Sequence, residues 1–143
     1  MADIEQQFVI RASPQRVFEG VSRPALLDQW WTLRSSGEAS VGSSYDLDFG
    51  PEYRWRAVVT RSVPGELFEL RMTESDPDWE STLVGFALTP SVPGTQVRFY
   101  HRNWPVANEH FRISAHCWAL YLRLLRRHLE QGEVVPYDQR LDA

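Results

Sequence analysis

Apolar residues near the end of the chain recur at the spacing of one helix face. Phe111, Ala115, Trp118, Leu122, Leu125 and Leu129 step by four, three, four, three and four. That period predicts a helix over 108–131 with a single buried stripe, ended by Gly132 as a C′ residue. Before it the pattern changes to alternation, the mark of half-buried strands. Phe8 and Ile10 alternate within 5–12; Tyr45, Leu47 and Phe49 follow; Trp55, Ala57 and Val59 share one side of 53–62. Phe68, Leu70 and Met72 do the same in 67–73, Thr82, Val84, Phe86 and Leu88 in 80–89, and Val97, Phe99 and His101 in 95–103. Turn signals at Pro64-Gly65, Asp76-Pro77-Asp78 and Pro93-Gly94 separate these runs, which favours an antiparallel meander over parallel crossovers. Ser13-Pro14 reads as an N-cap with proline at the first helical position, opening a short helix over 14–21 with Val17 and Val21 inward. Ser22-Arg23-Pro24 repeats the signal for a second short helix carrying Leu26, Leu27, Trp30 and Trp31. The Gly- and Ser-rich stretch 37–44 reads as a loop, and 133–143 as an extended, partly packed, fraying tail.

The elements add up to one α+β domain over 1–143. The expected architecture is a curved antiparallel sheet of about six strands, two short helices, and a long C-terminal helix that lies on the sheet and encloses a cavity.

Composition narrows the chemistry. All 15 basic residues are arginine, so Schiff-base and lysine-nucleophile mechanisms are excluded. A net charge of −4 offers no general nucleic-acid footprint. Cys117 is alone, which excludes an intrachain disulfide and a cysteine-based zinc cluster. No N-terminal apolar segment and no long apolar run is present, so neither a signal peptide nor a membrane span is expected, and the default address is cytoplasmic. No Gly-rich phosphate loop occurs, and no cofactor is expected. The aromatic share is 13%, with six tryptophans, and large rings with few rotors suit a cavity wall.

Inner-face parity and aromatic content select the cavity lining. Trp30 and Trp31 are expected at the lip, with Tyr45, Trp55, Met72, Phe86, Phe99 and His101 from the sheet. Phe111, Ser114, Ala115, Trp118 and Leu122 come from the helix, and Trp79 and Trp104 from the mouth. His101 on that face either orients a polar ligand, acts as an acid or base, or is simply a partly exposed strand-end histidine. His110 and Ser114 share a helix face, but the sequence shows no orienting acid or oxyanion site for them. The four histidines show no metal-ligand spacing, so no metal site is expected. Asp46 with Asp48, and Glu69 with Arg71, read as outer-face charges.

The order of local motifs carries a resemblance. Ile10, Ser13-Pro14, Val17-Phe18, and Pro24 through Leu27 with Trp30-Trp31 open it. Val59 to Pro64 with Leu67 and Phe68 continues, then Leu88-Thr89-Pro90 with Gly94-Thr95 and Val97. His101, Trp104, Trp118, Leu122, Leu125 and Leu129 through Gly132 end it. Over nearly its whole length the chain resembles the SRPBCC superfamily of START, birch-pollen-allergen and polyketide-cyclase relatives. Within it, the chain looks like the branch related to the activator of the heat-shock-protein-ninety ATPase. The resemblance implies the helix-grip fold and leaves several functions open. The leading expectation is a binder of a small hydrophobic or aromatic ligand. The alternatives are a cyclase, dehydratase or hydrolase using His101, and a stress-response module that contacts a heat-shock ATPase through an exposed patch near Trp31 and Trp104. A homodimer through strand edges or the Trp-bearing lip is a further expectation.

Overall fold

The computed structural model describes residues 1–142. The elements are β1 (Ala2–Ile10), α1 (Pro14–Ser22), α2 (Pro24–Leu27), β2 (Arg34–Ser36), β3 (Ser44–Asp48), β4 (Arg54–Val63), β5 (Leu67–Glu74), β6 (Leu83–Pro90), β7 (Thr95–Trp104) and α3 (Glu109–Gln131). A 3₁₀ turn at Tyr137–Asp142 follows. The strands form one antiparallel sheet in the order β1-β7-β6-β5-β4-β3-β2. Sequential hairpins thus build the meander, and the first strand returns to pair with the last: Ile4 faces His101, Gln6 faces Phe99 and Ile10 faces Thr95.

Local chemistry fixes both main helices as read from the sequence. Ser13 caps α1 by accepting from the Arg16 N–H at 3.2 Å, and Pro14 needs no partner there. Asn108 caps α3 by accepting from the Phe111 N–H at 2.9 Å. Gly132 ends it in the left-handed region at φ 70°, its N–H bonded to the His128 carbonyl, a conformation that glycine adopts without steric cost. Trp118, Leu122, Leu125 and Leu129 of the anticipated stripe are buried, joined by Leu124. Phe111 and Ala115 at its start are only partly covered. Removing each large apolar side chain from water contributes about 1.5–3 kcal/mol, so this face holds the helix to the sheet.

Four features depart from the sequence reading. The sheet has seven strands, because the polar triplet Arg34–Ser36 pairs with β3 and has no hydrophobic alternation to announce it. Helix α2 stops at Leu27, and Trp30 and Trp31 lie in the turn after it, with both backbone N–H groups donated to the Leu27 carbonyl. Over 133–142 the tail is packed rather than frayed, and residue 143 lies outside the described residues. Arg140 is buried, and its guanidinium donates to the Val135, Thr32 and Asp28 carbonyls at 3.0, 3.1 and 2.7 Å. Finally, Glu69 is buried on the outer face of the sheet, although Arg71 beside it is exposed. Its carboxylate accepts from the Tyr100 hydroxyl and from Thr60 Oγ1. Tyr100 reaches it by lying flat across Gly85, where an added Cβ would meet the phenol ring at 2.2 Å.

Candidate functional site

The space between α3 and the sheet is mostly filled by side chains. What remains is a cleft of about 400 Å³, open to solvent at the end of the sheet beside Trp118. Its floor is made of indoles. Trp79 stacks on Trp118 with centroids 6.0 Å apart and planes 18° apart, Trp31 lies 5.2 Å from Trp118, and Trp55 lies 4.9 Å from Trp79. The hairpin between β3 and β4 adds Phe49 and Tyr53 as one wall. The exposed-end face of α3 adds His110, Ile113, Ser114, Cys117 and Tyr121 as the other. The C-terminal turn closes the third side with Tyr137 and Leu141; the Tyr137 hydroxyl donates to the Phe49 carbonyl at 2.9 Å.

His101 lies beneath this floor, wholly buried. Trp118 Nε1 is 3.1 Å from His101 Nδ1. An indole nitrogen only donates, so Nδ1 accepts and the imidazole proton sits on Nε2. Nε2 then donates to Thr82 Oγ1 at 2.8 Å, and that hydroxyl donates to the Trp79 carbonyl. Burial, with a smaller contribution from the His110 charge, pushes the His101 pKa down to about 3. The ring is therefore neutral near neutral pH with both nitrogens engaged. The expectation of a partly exposed histidine is overturned, and so is the expectation of an acid or base, because no lone pair or proton is left for a substrate. His101 ties the backbone of Trp79 and the ring of Trp118 together, and so positions the cleft floor.

A hydrogen-bonded cluster adjoins the cleft at His110. His110 Nδ1 lies 2.9 Å from Asp78 Oδ2 and 3.6 Å from Asp76 Oδ1. The His110 hydrogen bond and then one from Asn108 hold the Asp78 carboxyl below the usual carboxylate range. Asp76 Oδ1 already accepts from the Asp78 N–H at 2.9 Å. These three side chains come close enough for a cation, but their hydrogen bonds account for the grouping as a turn that caps onto the start of α3. Burial raises the Cys117 thiol above its ordinary range and the Tyr121 hydroxyl to about 12, so both stay protonated near neutral pH. No hydrogen bond joins His110 to Ser114 among the described residues.

A profile built on proteins described as activator of Hsp90 ATPase homolog 1-like matches residues 11–130. The chain belongs to that family. Its place is in the Aha1-like branch of the SRPBCC superfamily. The solution structure of the Aha1 dimer from Colwellia psychrerythraea superposes with a TM-score of 0.84 at 28% identity, covering 93% of this chain and 99% of that one. The protein SSP2350 from Staphylococcus saprophyticus superposes at 0.79 with 18% identity over 94% and 96% of the two chains. CalU16 from Micromonospora echinospora superposes at 0.71 with 16% identity over 98% and 83%. The last two share the fold. No curated protein matches the chain.

In this Aha1-like chain Phe111 and Ala115, expected in the lining, are partly buried and lie outside the cleft wall, Phe111 packing on Trp104, and most of the remaining anticipated residues fall into two groups. Trp31, Trp55, Ser114 and Trp118 stand on the cleft wall, and Trp79, expected at the mouth, forms its floor. Trp30, Tyr45, Met72, Phe86, Phe99 and Leu122 are buried away from the cleft and fill the space under the helix. Trp30 Nε1 is satisfied by the Gly20 carbonyl at 2.9 Å, and the Tyr45 hydroxyl by that of Ser22. Trp104 is buried rather than at the mouth, packed among His101, His110 and Phe111. With Trp31 only 3% and Trp104 0% exposed, neither ring itself forms the expected contact patch. Sequence reasoning missed Phe49, Tyr53, Ile113, Cys117, Tyr121, Tyr137 and Leu141 as lining. The exposed apolar residues at the rim, Tyr53, Ile113 and Leu141, sit half a turn or a hairpin away from the parity used to choose inner positions.

Proposed function

We propose that this Aha1-like protein binds a small, mostly apolar, aromatic ligand in the cleft beside Trp118. The observation that carries the reading is the indole floor. Three indoles joined in series through Trp118 border open volume of about 400 Å³, within the range of about 300–1,000 Å³ usual for small-molecule sites. Trp55, partly open to water, offers its ring to a flat ligand, and the buried Trp31, Trp79 and Trp118 line the cleft beside it. The cleft is held firm where the ligand would rest, because His101 fastens Trp118 from below. The lining that supports the reading is Trp31, Phe49, Trp55, Trp79 and Trp118.

Thermal denaturation against a library of planar aromatic compounds tests it. A ligand present at 100 times its Kd stabilises by about 2.7 kcal/mol, which raises the Tm of a domain of this size by several degrees. A library without hits, together with unchanged Trp118 and Tyr121 side-chain resonances, removes the reading.

The solution dimer of the Colwellia psychrerythraea relative favours a second property, self-association, for this chain as well. Sedimentation equilibrium tests it; a monomer across the accessible concentration range refutes it. Family membership supports a third reading, contact with a heat-shock ATPase. Unchanged turnover of such an ATPase in the presence of this protein, with no complex formed, removes it.

A further inference from the structure

The cleft is mostly apolar, and the hydrogen bonding of His110 on its wall has a direction. Asp78 accepts from His110 and from Asn108 Nδ2, at 2.9 and 3.4 Å, and its carboxyl is held in the ionised form. An ionised carboxylate only accepts, so the imidazole proton must sit on Nδ1. The neutral ring then carries its lone pair on Nε2, and this nitrogen has no hydrogen-bond partner among the described residues. The ring has two further neighbours. Trp104 packs against it at 5.4 Å with planes 83° apart, and Asp76 approaches Nδ1 from the same turn as Asp78. His110 is therefore an oriented ring on the wall of an aromatic cleft, four residues along α3 from Ser114, with Nε2 as its free acceptor.

We propose that the Asp78–His110 pair is the polar anchor of the cleft, and that its ligands are planar aromatics bearing a hydroxyl or comparable donor that hydrogen-bonds to His110 Nε2. The proposal rests on the aromatic-cleft reading and adds to it the chemical class of the ligand. Asp78 acts through His110: it sets the tautomer and the angle of the ring, in the way a carboxylate fixes a histidine that serves a bound group. Contact with Trp55 and with the lining Trp79 and Trp118 grips the ring system whatever its edge carries. His110 selects among flat molecules by what their edge donates. An ether or an unsubstituted hydrocarbon of the same shape leaves Nε2 without a donor while displacing the water that would have served it.

The experiment compares β-naphthol with its methyl ether by calorimetric titration at one mildly alkaline pH. The native protein is expected to bind β-naphthol about tenfold more tightly than the ether, equivalent to about 1.4 kcal/mol. In His110→Phe, which keeps a flat ring and removes the acceptor, the two affinities are expected to be equal. The His110 Nε2 resonance of the native protein shifts with β-naphthol and not with the ether. Equal affinities in the native protein, or an undiminished preference in His110→Phe, overturn the anchor and leave the aromatic cleft standing. Failure of both probes to bind the native protein overturns the cleft reading and the anchor together. Because the readout is a ratio within one protein, a general loss of stability in the variant does not imitate the expected result.

Discussion

Acidification should loosen the fold through His101 in a way that can be worked out from its surroundings. Its pKa is about 3 in the folded chain against 6.5 for an unperturbed histidine. The unfolded chain therefore binds a proton at this position throughout that interval and the folded chain does not. Stability rises with pH wherever the unfolded state holds more protons. The His101 contribution is thus fully present above 6.5 and is lost progressively as pH falls towards 3. At 1.36 kcal/mol per unit, the loss is about 2 kcal/mol by about pH 5 and approaches about 5 kcal/mol near the folded pKa. The carboxylates of Asp48 and Asp78, whose pKa values are also lowered, add losses of their own at still lower pH. A second chain separates the terms. His101→Gln retains one acceptor for Trp118 Nε1 and one donor for Thr82 Oγ1 but does not titrate. Its stability at neutral pH should fall by about 1–3 kcal/mol, from imperfect hydrogen bonding. Between neutrality and about pH 5 its urea midpoint should then move less than that of the native protein, by an amount worth about 2 kcal/mol. Parallel pH profiles for the two chains would refute the buried neutral imidazole and, with it, the tautomer assigned from the Trp118 contact.

Three further outcomes follow from single contacts. Trp118→Phe keeps much of the packing but removes the donor to His101 Nδ1, and denaturant unfolding should register a loss of about 1–3 kcal/mol. Gly85→Ala places a methyl 2.2 Å from the Tyr100 ring; the ring must leave Glu69, at a cost of about 2–4 kcal/mol by the same measurement, and an unchanged midpoint would show that Tyr100 does not hold the buried carboxylate. Arg140→Ala frees three carbonyls that the guanidinium now serves. Limited proteolysis should then cut within 134–142 much faster than in the native chain while the remaining domain resists, and equal cleavage rates would contradict the anchoring role of Arg140.

The parts of the fold legible in the sequence are those whose causes are local. Helix α3 was readable because its stripe, its Asn108 cap and its Gly132 terminus all agree over one continuous stretch. Strands β4 to β7 alternate clearly because one face is buried. Strand β2 was not readable, since three polar residues pair only because β3 passes beside them. The C-terminal turn depends on Arg140 reaching carbonyls more than a hundred residues away, and no periodicity encodes that. Glu69 follows the outer-face parity assigned to it, yet it is buried because Gly85, on the neighbouring strand, makes room for Tyr100. The site was legible to the same degree. Parity identifies Trp55, Phe86, Phe99 and His101 as inner residues, but it does not say how far along the sheet the helix covers them. The covered ones became interior, and the uncovered end became the cleft. His110 was noticed beside Ser114, while its partner Asp78 lies 32 residues away in sequence and only the fold brings them together.

All six tryptophans form one unbroken chain of ring contacts. Trp30 touches Trp31, Trp31 touches Trp118, Trp118 touches Trp79, and Trp79 touches both Trp55 and Trp104. At such separations light absorbed by any one indole migrates to its neighbours before it is emitted. The emission of the whole protein is therefore governed by the members with the lowest excited state, and Trp55, the only one left partly open to water, is the natural terminus. Intrinsic luminescence of this chain is then an optical readout of the cleft itself rather than an average over the fold.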